Sequence, residues 1–432
     1  MSLVLRPRPG AGAASPWRAL TSGFLGWMFD AMDLNLFTLV MIPALHDLTG
    51  ATSPAALARI GGLVVGVKIL GWGLGGVAFG VVADRVGRSA TLTWTILIYG
   101  VFTALGALAL NWPMLAFCQF AAGLGIGGEW AAGGALVAET WPDRSRARAM
   151  QAMQMAYPFG LFLAGGIAML LGPLGWRYVF IAGIIPVFAA AWMRRNLPEP
   201  ALWHDARDRA RARAAAGGRA DTAAATFAAL FAPAMRRNTL VGLVVALALM
   251  MGSWGALTLL PGWIGQLLGP AGAAHQAATV GWFFVLMNAG TLLGFLALMP
   301  LVDRIGRRWS YFLFCAGLLA TILYLFRPQT TLPELERLLP VMGFFFGGSF
   351  GTLAVYLPEL FPTGIRASGQ GFCYNLSRLL TAPGPIVAGL LVGALGSIPA
   401  ACAAVGLVLV VGTGAIWLGV ETNGRPLPAD MD

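Results

Sequence analysis

The chain of 432 residues is 58% apolar and only 11% charged, where soluble domains carry about a quarter charged residues. With a mean hydropathy of +0.75 it is an integral membrane protein, and runs of about 20 apolar residues replace soluble domains as its units. The net charge of +10 gathers in one alternating set of inter-helix segments, where Lys and Arg collect beside a membrane, and this argues against nucleic acid as a partner.

The residues before the first span hold Arg6, Arg8 and Arg18 without a small-residue cleavage site, so no removable signal peptide is expected. Apolar stretches follow near 19–45, 58–83, 89–110, 113–139, 147–173 and 176–193, then near 239–268, 278–301, 309–326, 338–359, 367–395 and 398–420. The expected fold is an all-α membrane protein of 12 transmembrane helices. With the N-terminus inside, the inner segments collect 22 of the 28 basic residues, leaving Arg59, Arg177, Arg327 and Arg337 outside and Lys68 and Arg378 within spans. That bias places both termini in the cytoplasm.

Along the second span Gly71, Gly75, Gly76 and Gly80 make small-xxx-small pairs, as do Gly343, Gly347 and Gly351 in the tenth, a spacing that lets helices approach closely. The long polar stretch from Arg194 to Arg237 reads either as a membrane-surface helix or, more plainly, as a solvated connector. Pro383 and Pro385 should kink the eleventh span. Cys118, Cys315, Cys373 and Cys402 lie in apolar runs without metal-ligand spacing and read as packing residues.

Gly80-Val-Val-Ala-Asp84-Arg85-Val-Gly87-Arg88 recurs 219 positions later as Asp303-Arg304-Ile305-Gly306-Arg307-Arg308. A second echo, at offset 220, pairs Gly123, Gly127, Gly128, Glu139, Pro142 and Arg146 with Gly343, Gly347, Gly348, Glu359, Pro362 and Arg366. The chain therefore divides into a bundle over 1–195, a linker over 196–237 and a related bundle over 238–432. Such internal symmetry in an apolar chain points to a transporter whose halves rock about a central site.

Five ionisable residues interrupt the apolar helices: Asp30, Asp33, Lys68, Glu129 and Arg378. Each costs about 3 kcal/mol to insert, so each should face a cavity or a partner. All lie roughly 15 to 20 Å from the cytoplasmic helix ends, near the bilayer midplane. Asp30 and Asp33 share a helix face, and neighbouring carboxylates favour one holding a proton. None of the five has a charged counterpart in the other half, so the scaffold repeats and the charges do not. Arg378 reads as a fixed cation for a substrate carboxylate, or as a structural ion-pair partner of Asp30, Asp33 or Glu129. Lys68 reads equally as a tuned switch or a structural pair. His46, His204 and His275 fall in loops or at helix ends, so proton carriage falls to Asp33 first, then Asp30 and Glu129, the last with a structural alternative. Tyr374, Asn375, Trp254, Gln151, Gln154 and Asn288 are candidates to line the site, though ordinary packing explains such residues as well.

The Asp-Arg-X-Gly-Arg loop and its copy resemble the signature loop of the major facilitator superfamily over the whole chain, supported by Asn196-Leu-Pro-Glu-Pro200 and Glu421-Thr-Asn-Gly-Arg-Pro-Leu427, which are similar to its half-ending motifs. Gly26-Trp-Met-Phe-Asp30-Ala-Met-Asp33 resembles the first helix of proton-coupled organic-acid symporters. Val137-Ala-Glu139-Thr-Trp141-Pro142 and Gly175-Trp176-Arg177 look most like the sialate and monocarboxylate branch. Aromatic-acid symporters usually carry Asp-Gly-X-Asp, and this chain has Ala31; Ser89 stands where the first signature loop usually ends in a basic residue. The resemblance implies a cytoplasmic gate of charge pairs among Asp84, Arg85, Arg88, Glu139, Arg146, Asp303, Arg304, Glu359 and Arg366.

The expected protein is a non-enzymatic, multi-pass transporter of a bacterial-type inner membrane, acting as a monomer without cofactor or metal. It would import a small organic anion with protons by alternating access, through the bilayer as its only other partner. A proton-coupled exporter and a ligand sensor without net flux are the alternatives. Ala156-Tyr-Pro-Phe-Gly-Leu-Phe-Leu-Ala-Gly165 matches the helix-five pattern of drug exporters poorly, which favours import.

Overall fold

The computed structural model describes residues 15–216, 222–269 and 275–429; Arg6, Arg8 and Arg219 lie outside them. Its helices are α1 (Pro16–Thr49), α2 (Pro54–Val86), α3 (Arg88–Gly106), α4 (Trp112–Thr140), α5 (Arg146–Gln154), α6 (Ala156–Leu171), α7 (Trp176–Ile181), α8 (Ile185–Asn196), α9 (Ala201–Ala215), α10 (Ala223–Leu230), α11 (Arg236–Leu268), α12 (Gln276–Leu325), α13 (Leu332–Glu359), α14 (Arg366–Thr381), α15 (Gly384–Leu395), α16 (Ile398–Gly406) and α17 (Val408–Ala415). Local sequence marks their starts. Pro opens α1 and α2 in the first turn, and Asn111 accepts the Met114 N–H at 2.9 Å to cap α4.

Among the described residues, 9 helices are long and apolar enough to cross a membrane, or 10 counting one bent pair. The twelve expected spans are all present. The glycines, Gln119 and Glu129 lower the hydropathy of α4; α12 is two spans joined where Gly306 leaves helical geometry (φ 85°, ψ 170°); and α14 with α15 makes one span bent by 48° near Pro383. The proline pair thus kinks the eleventh span as expected.

α1 to α8 pack together around Phe37, Tyr99, Ile126 and Phe180, while α11 to α17 surround Tyr311, Cys315, Leu353 and Tyr356. The halves meet chiefly where α14 lies on α2 and α4, and where α5 lies on α12 and α13. The glycines of α2 divide between two neighbours. A Cβ on Gly75 would meet the Leu124 backbone of α4, and one on Gly80 would lie 2.7 Å from the Ala367 carbonyl of α14. Close approach of the halves therefore requires glycine on that face.

Each signature loop is tied to the end of its own half. Glu199 accepts the Ser89 and Ala90 N–H groups at 3.1 and 3.0 Å, and Glu421 accepts those of Arg307 and Arg308 at 3.0 Å each. A carboxylate at a helix N-terminus satisfies orphan donors and complements the dipole. Burial nevertheless pushes the Glu199 carboxyl above its usual range. Gly87 (φ 127°) and Gly306 (φ 85°) turn the chain just before each helix, in a region where other residues are strained.

The connector is helical and packed. Trp203 of α9 donates from Nε1 to the Asp84 carbonyl at 2.9 Å, and Phe227 of α10 meets Phe372 edge-on at 6.3 Å. The solvated-connector reading is corrected in this respect: the apolar face of the linker, carried by Trp203, Phe227 and Leu230, is used against the bundle. The four cysteines are free and buried, in keeping with packing roles.

Candidate functional site

The five intramembrane charges converge. Lys68 on α2 donates from Nζ to the Asp33 carbonyl at 2.9 Å and pairs with its Oδ2 at 3.2 Å, both side chains being buried. Asp30, one turn earlier on α1, is 2% exposed and neither of its oxygens finds a donor. Glu129 on α4 is fully buried, also lacks a donor, and lies against Gly26 of α1. Glu129, Asp33, Arg378 and Lys68 are the charged groups that act on Asp30. Three buried carboxylates of the N-terminal half are thus grouped around a single ammonium, within electrostatic reach of Arg378 from the other half.

Arg378 makes no ion pair among the described residues; it is half-buried and held by neutral groups. Its Nη1 donates to Asn375 Oδ1 at 2.9 Å, and its guanidinium carbon lies 3.5 Å from the centre of the Trp72 ring and 4.8 Å from that of Tyr374. Tyr374 stacks in turn on Trp130 at 4.0 Å and 15°. The structural ion-pair reading of Arg378 is therefore not realised, whereas that of Lys68 is. A guanidinium held only by neutral groups, in the field of buried carboxyls that lack donors, can take an anion and leave a proton nearby.

Tyr374 and Asn375 join this cluster. Trp254 is 45% exposed and its ring contact is Phe346 of α13. Gln154 is buried at the end of α5 with no bond into the cluster, while Gln151 crosses to the other half, donating to the Gly351 carbonyl at 2.8 Å. Asn288 bonds to the Phe284 carbonyl of its own helix. Trp72 and Trp130 are functional candidates that sequence reasoning missed. Trp72 lies four residues after Lys68, on the same helix face, and Trp130 follows Glu129.

Breaking the Lys68–Asp33 pair on one side should be costly and removing both charges much less so. Lys68→Met should lower stability by about 3 to 5 kcal/mol, and the double variant with Asp33→Asn should melt above either single variant. Thermal unfolding in detergent checks this; equal melting of single and double variants would refute a structural pair.

At the arginine-rich end the halves are locked. Arg88 donates from Nε and Nη2 to Glu139 at 3.1 and 2.9 Å, and Arg366 of the other half donates to the same carboxylate at 2.7 Å. Asp84 accepts from the Ala367 N–H, Ser368 N–H and Ser368 hydroxyl at 3.1, 2.8 and 2.5 Å, capping α14 across the seam. The mirror image is looser. Arg307 holds Glu359 at 2.9 Å, but Arg146 approaches Glu359 only to 3.6 Å and Arg148 reaches Asp303 at 3.7 Å. Arg146 also closes on Asp143. Arg85 reaches Thr226 of α10 at 3.4 Å, and Arg304 is exposed beyond the network. Arg366 is completed by the Pro428 carbonyl at 3.0 Å, which also accepts the Thr363 N–H at 3.2 Å. Ser89, where the first signature loop usually ends in a basic residue, donates from its hydroxyl to the Pro198 carbonyl at 3.0 Å.

Glu139→Gln leaves Arg88 and Arg366 buried with one carboxylate fewer, a change of about 3 to 5 kcal/mol against the closed arrangement. A cysteine placed at Gly134, beside Gln370 of the other half, should then be labelled by a thiol reagent at least about tenfold faster from this end. An unchanged rate would show that Glu139 does not hold the seam.

Residues 23–277 match the family described as Major Facilitator Superfamily. The chain belongs to the major facilitator superfamily. This facilitator is 31% identical over 414 residues to a putative metabolite transport protein of Haemophilus influenzae, covering 95% of this chain and 98% of that one. It is 27% identical to the sialic acid transporter NanX of Escherichia coli, over 86% of each chain. It is 28% identical to the cis,cis-muconate transport protein of Acinetobacter baylyi, over 87% of each. Among solved structures, the proton:xylose symporter XylE with 6-bromo-6-deoxy-D-glucose superposes with a TM-score of 0.78 at 16% identity, covering 95% of this facilitator and 97% of that chain. The facilitator is a non-enzymatic, multi-pass transporter of the bacterial inner membrane, and its substrates are small molecules.

Proposed function

We propose that this facilitator imports a small organic anion, a carboxylate, together with protons, as a monomer whose arginine-rich end faces the cytoplasm. The observation that carries the reading is the contrast at the midplane: Arg378 has no carboxylate partner, and the buried carboxyls of Asp30 and Glu129 have no donor. In this reading the substrate carboxylate binds the free edge of the guanidinium. A proton on Asp30 or Glu129 removes the repulsion that the arriving anion meets, while Asp33 stays occupied by Lys68. The bundles over 1–195 and 238–432 rock about the site, and the Glu139–Arg366 and Asp84–α14 contacts close the cytoplasmic end between cycles. That the relatives' names include a sialic acid and a muconate transporter supports an acid as the substrate class.

The test is reconstitution in liposomes with a trapped pH dye, adding sialic, lactic and hydroxybenzoic acids outside. Internal acidification above passive leakage, for one class of acid and only with protein present, is the expected result. Binding of an acid without any protein-dependent pH change would overturn proton-linked import.

A further inference from the structure

The anion site contains a ladder of four side chains, two from each half. Trp130 of α4 stacks on Tyr374 of α14, Arg378 follows one turn later on α14, and its guanidinium rests on Trp72 of α2. Trp72, Trp130 and Tyr374 are 7%, 1% and 4% exposed, so these rings sit inside the protein and not at a lipid interface. The Trp72 Nε1–H is buried without any acceptor. Neither gating nor proton carriage accounts for Trp72.

Its geometry restricts how an anion can meet Arg378. At 3.5 Å the indole covers one face of the guanidinium at van der Waals distance, Nη1 is engaged by Asn375, and Tyr374 meets the same group with its side chain. A carboxylate must therefore arrive at the remaining edge, in the guanidinium plane, where the paired N–H groups form a fork. A carboxylate so held lies parallel to the indole. Where the carboxyl is conjugated, the next atoms continue in that plane alongside the ring. Where it is attached to a saturated, puckered carbon, substituents project out of the plane toward the indole. The idle Trp72 N–H supplies a donor for an acceptor atom beyond the carboxyl group, and a buried donor left unmet is unfavourable.

We propose that Trp72 is a specificity-determining residue of the anion site, holding Arg378 edge-on so that carboxylates on flat, conjugated or aromatic carbon bind in preference to those on puckered, saturated carbon. The inference rests on Arg378 being the cation for the substrate.

Benzoate and cyclohexanecarboxylate form a matched pair of equal carbon count, one flat and one puckered. Their dissociation constants are measured by calorimetry on the full-length protein in detergent, for the wild type, Trp72→Phe, Trp72→Ala and Arg378→Ala. The expected result is at least about tenfold tighter binding of benzoate by the wild type, retained in Trp72→Phe and lost in Trp72→Ala, where the puckered acid no longer meets the indole and its affinity rises toward that of benzoate, with both acids lost in Arg378→Ala. A wild-type ratio near one overturns the proposal even if Trp72→Ala does not fold. So does a ratio unchanged in Trp72→Ala, or one lost equally in Trp72→Phe. Unchanged binding of both acids by Arg378→Ala instead sinks the anion-site reading itself, and failure of the wild type to bind either acid counts against both.

Discussion

Arg378→Ala is expected to reduce uptake of every transported acid by at least about a hundredfold, while the protein still reaches the membrane and elutes as a single folded species. Hydrogen bonds to a charged group contribute roughly 1.5 to 3 kcal/mol each, and a bidentate guanidinium supplies two, enough for that loss. The fold should survive because Arg378 holds no carboxylate among the described residues that its removal would strand: it is held by Asn375, Tyr374 and Trp72, all neutral. Arg378→Lys should recover little, since an ammonium cannot offer a planar fork or stack on Trp72. Uptake by Arg378→Ala at wild-type rates would remove this residue from the substrate site.

Asp30→Asn is expected to separate transport from its driving force. The variant should exchange one acid for another across a membrane at an undiminished rate, yet lose proton-driven accumulation and the accompanying internal acidification. Asparagine keeps the shape of the side chain and cannot release a proton. Asp33→Asn should behave differently: it strands Lys68, with which Asp33 is paired at 3.2 Å, and so should lower stability as well as activity. Counterflow with labelled acid, measured with and without a pH gradient, distinguishes the two. Intact accumulation by Asp30→Asn would hand the proton to Glu129 or Asp33.

The span pattern and the duplication were legible because they depend on local hydropathy and spacing. The partners of the five intramembrane charges were not. Asp30 and Asp33 share a helix face and an amino-acid type, and only the position of Lys68 on a neighbouring helix makes one paired and the other alone. The ladder from Trp130 to Trp72 joins α4 and α2 to α14, which lies in the other half of the chain, and aromatic residues in apolar helices carry no mark that tells a binding ring from a packing one. The division of α2 into one glycine face for α4 and another for α14 likewise depends on a neighbour that periodicity does not name. The charged residues of the two loop copies were readable because they recur at offsets of 219 and 220, but the inequality of the two copies, 2.7 Å for Arg366–Glu139 against 3.6 Å for Arg146–Glu359, appears only in three dimensions.

The Pro428 carbonyl, bonded to both Arg366 and the Thr363 N–H, places the last described turn of the chain in the lock itself. Anything fused just beyond it, such as an affinity handle or a fluorescent reporter, pulls on a contact that, in the proposed cycle, closes the cytoplasmic end. Assays of this transporter are therefore best run with the handle at the other end, or after its removal.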